Sequence, residues 1–136
     1  MRKIYKSALC FVLPSLFGET WGLVVNEAMA SGLPVLVSEQ AGCASTLVKN
    51  GVNGFTFSPD NEEELVNLFL KTGTISEEEQ KMMGLKSCET ILDWGLERFS
   101  SGIYDIINFV SFEKKRRTDL ISKIIIKLWK GRYRPL

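Results

Sequence analysis

Two glutamates eight positions apart, Glu19 and Glu27, bracket the segment Thr20-Trp21-Gly22-Leu23-Val24. A carboxylate accepts two hydrogen bonds from a vicinal diol, the common way for a protein to grip a ribose or a sugar. The segment between them leads from a loop into a helix expected over Leu23 to Ala30. The first N–H groups of a helix lack intrahelical acceptors, and the macrodipole adds partial positive charge at that end. The N–H groups of Gly22, Leu23 and Val24 therefore offer a place for an anion such as a phosphate, and Gly22 allows a ligand close to the backbone. Taken singly, Glu19 equally fits a helix-start charge and Glu27 a solvated helix face.

Other chemistries are excluded by composition. The 136 residues contain no histidine, so Ser-His-Asp and Cys-His machinery and every His-containing zinc site are out of this chain's reach. Cys10, Cys43 and Cys88 are widely spaced and form no CxxC pair, so neither a disulfide framework nor a zinc ribbon is indicated. Cys10 and Cys43 read as small buried hydrophobes, and Met29, Met82 and Met83 as core fillers. Neither GxGxxG nor GxxxxGK[ST] occurs, and no nucleic-acid partner is expected. A reducing, cytoplasmic setting fits the cysteine usage.

The elements that must position the two glutamates follow from punctuation and periodicity. Ala8 to Leu13 is a continuous apolar run ended by Pro14-Ser15, as expected of a strand buried on both faces. After the helix, Gly32 stands where a left-handed cap belongs, and Pro34 follows. Val35 to Val37 is the next strand, Cys43 to Val48 a short helix, and the Asn50-Gly51 and Asn53-Gly54 pairs bracket a turn into the strand Phe55 to Phe57. Asp60 with Glu63, then Ser76 with Glu79, are capping-box patterns. The second of these helices carries Leu85, Cys88, Ile91 and Leu92, and a further helical stripe runs through Phe99, Ile103, Ile106, Ile107 and Val110. Strand alternating with helix predicts an α/β fold, a partial Rossmann-like parallel sheet with covering helices. Three strands are few where five or six are usual, so a piece of a domain is expected.

Charge divides the chain. Residues 1–112 hold 8 Lys+Arg against 14 Asp+Glu, whereas residues 113–136 hold 9 against 2, which predicts an α/β body over 1–112 and a basic tail over 113–136. On a helical wheel starting at Leu120, Ile121, Ile124, Ile125, Leu128 and Trp129 fill one side, with Lys123, Lys127 and Lys130 opposite. Such a helix either packs its apolar arc on protein or lies on an anionic membrane surface. The second choice would place the protein at the inner face of the plasma membrane.

The stretch Leu13-Pro14-Ser15, then Gly18 through Val35, closely resembles the E-x7-E signature of the family 4 retaining glycosyltransferases, the group 1 glycosyl transferases of GT-B fold. The resemblance continues through Gly42, Leu47-Val48, Asn50 to Phe55 and Pro59 to Leu65. It implies part of the C-terminal, donor-binding lobe of such an enzyme, with 1–112 as the nucleotide-sugar-binding part. By that resemblance Glu19 contacts hydroxyls of the transferred sugar, Glu27 holds the donor ribose, and backbone N–H groups from Trp21 through Gly22 and Leu23 to Val24 cradle the diphosphate. Trp21 either lines the donor pocket or packs beneath the loop. Trp94, followed by Phe99, starts the helix that in this family leads back toward the N-terminal lobe. These enzymes are generally metal-independent and need no cofactor beyond the donor, a UDP- or GDP-sugar. The partner implied is the acceptor-binding N-terminal lobe, and the chain by itself is expected to be inactive. The loop Ala41-Gly42-Cys43-Ala44-Ser45 lacks the Glu that many relatives carry nearby. The rival expectation is a non-catalytic module that binds nucleotide or associates with a partner.

Overall fold

The computed structural model of the chain describes residues 4, 5, 7–112, 124, 127 and 128. Its order is β1 (Phe11–Leu13), α1 (Leu23–Ala30), β2 (Val35–Ser38), α2 (Ala44–Leu47), β3 (Gly54–Phe57), α3 (Glu62–Thr74), α4 (Glu77–Leu92) and α5 (Leu96–Phe112). The chain divides into two compact units, Met1–Arg98 and Phe99–Leu136. The basic segment 113–136 lies outside the described residues apart from Ile124, Lys127 and Leu128, which are helical and exposed. Among the described residues no helix is long and apolar enough to cross a membrane.

The three strands are parallel in the order β1-β2-β3, with Phe11 opposite Val35 and Val35 opposite Gly54. Only the central strand β2 is buried on both faces. β1 is half-buried throughout, because among the described residues it has a neighbour on one side only. It is also shorter than the apolar run from Ala8 predicts. The ladder opens with the Phe11 N–H donating to the Pro34 carbonyl (2.9 Å), and Pro34 has no N–H with which to extend the pairing backwards.

One face of the sheet carries the core. Val25, Ala28 and Met29 of α1 are wholly buried at i, i+3, i+4 spacing against Val35 and Val37, joined by Cys43, Ala44 and Leu47. Phe11 and Leu13 pack onto the same cluster. Leu36 and Phe57 are buried on the other face, where Lys71 of α3 stands 4.4 Å above the Phe55 ring. α1 ends as its sequence predicts. Gly32 is left-handed (φ +79°), its N–H donates to Met29, and the Leu33 N–H donates to Ala28 (3.2 Å), together a Schellman motif.

Several local readings are corrected. α3 is capped by Asn61, whose Oδ1 accepts the Glu64 N–H (3.1 Å), not by Asp60 with Glu63. The run Asp60-Asn61-Glu62-Glu63-Glu64 satisfies the pattern in two registers. The chosen one also lets Glu64 accept the Ser58 N–H (3.0 Å). The Ser76–Glu79 capping box forms as predicted. On α4, however, Leu85 and Leu92 are exposed, and the side turned inward is built from Gly84, Ser87, Cys88 and Ile91. Met82 is likewise exposed rather than a core filler. Trp94 falls in the turn before α5 instead of starting it.

Small residues face inward on α4 because it approaches backbone. A Cβ at Gly84 would run into the carbonyl oxygen of Gly32. Beside it, the Ser87 hydroxyl donates to the carbonyl of Asn53 (3.2 Å). Asn53 is itself wholly buried; its side chain accepts the Lys49 N–H (2.8 Å) and donates to the Leu47 carbonyl (2.9 Å) and to Thr90 (3.3 Å). Every buried side-chain polar atom among the described residues has a partner.

Two substitutions of one kind should therefore differ in sign. A methyl added at Gly73 on α3 would meet nothing within 4 Å, so Gly73→Ala should raise stability by up to about 1 kcal/mol through helix propensity. Gly84→Ala gains the same propensity but drives a methyl into backbone, and overpacking typically costs roughly 1–3 kcal/mol. A net loss is expected, and urea unfolding followed by circular dichroism measures both. Asn53→Ala should cost more than either, since each buried group left unpaired costs about 1–3 kcal/mol.

Candidate functional site

The carboxyl ends of parallel strands all lie at one edge of the sheet, so the loops after β1 and β2 meet there. The meeting is bonded. The Gly42 N–H donates to the Glu19 carbonyl (3.1 Å) and the Cys43 N–H to the Trp21 carbonyl (3.0 Å). A Cβ at residue 42 would collide with the carbonyl oxygen of Thr20, so only glycine lets the two loops close on each other. Gly22, the N-cap residue of α1, is left-handed at φ +101°. A Cβ there would lie 3.0 Å from Leu13 and 3.2 Å from Cys43. Backbone conformation and packing both demand glycine at this point.

No side chain caps the N-terminus of α1. The Val25 N–H closes the first turn onto the Gly22 carbonyl (2.8 Å). Leu23 and Val24 are exposed while Val25 is buried, so the helix presents its first turn outward. The loop before it exposes Leu16 and Phe17 as well. An uncapped, outward-facing helix start with its dipole is suited to an anion.

The two glutamates occupy different surroundings. Glu19 is half-buried where its loop rests on Gly42 and Cys43. Burial pushes the Cys43 thiol up from its ordinary range, and the Glu19 carboxylate adds to that rise. Glu27 is exposed on α1, one turn after Leu23 and hence on the same helix face. Its carboxylate accepts a hydrogen bond from the Tyr5 hydroxyl (3.2 Å). Desolvation and this acceptor hold the Tyr5 hydroxyl above its usual range. Trp21 is half-buried. Its indole N–H donates to Asn26 (3.0 Å), and its ring packs on Trp94 with centroids 5.2 Å apart.

Tyr5, Asn26 and Trp94 are the residues of this site that sequence reasoning did not select. Tyr5 reaches Glu27 across 22 positions, and no local pattern marks such a contact. Among the described residues no group of three or more Cys, Asp or Glu has the arrangement of a metal site.

The family model described as glycosyl transferases group 1 matches residues 1–84. A sulfoquinovosyl transferase from Arabidopsis thaliana is 36% identical over 98 residues, covering 69% of this chain and 19% of its own length. A sucrose synthase from Melioribacter roseus is 52% identical over 54 residues, 40% of this chain and 7% of its own. This chain thus spans less than a fifth of either relative. Among solved structures, a sucrose-phosphate synthase from Thermosynechococcus elongatus superposes with a TM-score of 0.66 at 24% identity, over 79% of this chain and 27% of that one. That neighbour has the GT-B fold, and the parallel sheet with its flanking helices corresponds to part of it. With the matched residues spanning the whole three-stranded sheet and the loops at its carboxyl edge, the chain belongs to the group 1 glycosyltransferases.

Proposed function

We propose that this chain is the donor-binding part of a retaining, family 4 glycosyltransferase that transfers a sugar from a UDP- or GDP-sugar to a polysaccharide or glycoconjugate acceptor. The observation that carries the reading is the uncapped N-terminus of α1 at the carboxyl edge of the sheet, preceded by Glu19 and followed one turn later by Glu27. The diphosphate is held by the N–H groups of Trp21, Gly22, Leu23 and Val24, which stay fixed while the leaving group gains charge. No metal is required in this scheme. Glu27 takes the ribose hydroxyls; Glu19, held against Gly42 and Cys43, meets the transferred sugar. The acceptor is bound by an N-terminal lobe, and the protein works in the cytoplasm.

The two carboxylates should separate by measurement. Joined to an acceptor-binding lobe, the Glu27→Ala protein should bind nucleoside diphosphate more weakly, while Glu19→Ala should depress transfer more than it weakens the bare nucleotide. Removing one charged hydrogen-bonding group costs about 1.5–3 kcal/mol, roughly ten- to a hundred-fold. Calorimetric titration with UDP and GDP, alongside transfer rates, decides it, and parental behaviour in both variants would refute the assignment.

The basic tail supports a second, separate element of the proposal: residues 113–136 hold the protein against an anionic lipid surface, as suits a lipid-linked acceptor. Its 9 Lys+Arg against 2 Asp+Glu provide the attraction, and Ile124 and Leu128, exposed and one helical turn apart, start an apolar face. Co-sedimentation with liposomes should require anionic lipid, fall as salt screens the charge, and vanish when 113–136 is deleted. A chain that ignores anionic liposomes at low salt rules this out.

A further inference from the structure

Trp94 belongs to the turn between α4 and α5, far in sequence from the loop and helix that carry the glutamates. Its indole nevertheless packs on Trp21 with 5.2 Å between ring centroids and the planes 39° apart. Trp94 is firmly seated. It packs against the core cluster, its backbone N–H donates to the Ile91 carbonyl (3.0 Å), and the Arg98 guanidinium stands 4.2 Å above its ring.

Trp21 is the last residue before the left-handed Gly22, and a glycine entry constrains the chain weakly. The direction in which the N–H groups of Gly22, Leu23 and Val24 point therefore depends on the buried Val25 that follows them and on what holds Trp21 before them. Trp21 packs against the core cluster, and three directed contacts orient it: its carbonyl accepts the Cys43 N–H (3.0 Å), its indole N–H donates to Asn26 (3.0 Å), and its ring leans on Trp94. The first two come from the loop after β2 and from α1 itself. The third alone ties the loop to the far end of α4.

Resting on the reading that the start of α1 takes the donor diphosphate, we propose that Trp94 is a positioning residue for that donor. Its aromatic contact holds Trp21, and through Trp21 the first turn of α1, in the arrangement that receives the diphosphate. It touches no substrate and acts through Trp21. What is required at 94 is an aromatic face, not the indole N–H.

The test titrates the chain joined to an acceptor-binding lobe, as parent and as Trp94→Leu and Trp94→Phe, with UDP and with GDP by calorimetry, takes Glu27→Ala as the site control, and records circular dichroism on the 136-residue chain. An aromatic pair of this kind corresponds to roughly a 2- to 12-fold change in Kd. Trp94→Leu, which keeps apolar bulk, should bind that much more weakly, and Trp94→Phe should return to about the parental value. In circular dichroism the parent should show the exciton couplet of two close indoles, lost in Trp21→Phe and in Trp94→Phe alike. If Glu27→Ala weakens binding while Trp94→Leu binds as the parent does, the positioning role alone is overturned. If Trp94→Phe fails to restore affinity and the loss merely follows the fall in Tm, Trp94 is a structural residue and the proposal is wrong. If neither nucleotide binds the parent, the donor-site reading falls and takes this inference with it.

Discussion

The carbonyl oxygen of Thr20 occupies the space a side chain at residue 42 would need. On that close approach the rest of the candidate site depends. It allows the Gly42 and Cys43 N–H groups to bond to the carbonyls of Glu19 and Trp21, which joins the loops after two neighbouring strands into one platform. Parallel pairing of β1 with β2 brings those loops to the same edge, and the missing Cβ lets them touch. The start of α1 is then fixed from both sides, by the platform before it and by the buried Val25, Ala28 and Met29 beneath it.

At the opposite edge of the sheet the same economy of side chains recurs. The backbone at Gly54 lies so close to the Val35 carbonyl that a Cβ would collide with it, and Gly84 meets Gly32 in the same way. Asn53 fills the remaining space and satisfies the turn that leads into β3. Since β2 is buried on both faces, unpaired polar groups near it would be costly, and the asparagine carries the hydrogen bonds that water cannot supply. α4 is thereby fastened both to the end of α1 and to the start of β3, and its last turn delivers Trp94 to Trp21.

Much of this was legible in the amino-acid order. α1 is present from Leu23 to Ala30, with its glycine cap and following proline, because a glycine that must turn left-handed leaves an unmistakable mark. The parallel α/β class followed from strand alternating with helix, and the capping box at Ser76 from a local reciprocal pattern. Less legible were quantities set by neighbours. Half-burial of β1 reflects its having a neighbour on one side only among the described residues, the register of the α3 cap was degenerate within an acidic run, and the inward side of α4 carries Gly84 and Ser87 where a hydrophobic stripe pointed to Leu85 and Leu92.

By itself the sequence determined the elements, their order, and a loop and helix start bracketed by two glutamates, since each of these is written in residues no more than about two helical turns apart. Only the tertiary structure decided which groups meet: Tyr5 with Glu27, Trp94 with Trp21, Gly42 with Thr20. Those contacts join residues separated by up to 73 positions, and their geometry is set by how closely packed backbones can approach, a property of the whole assembly of strands and helices that no local periodicity records.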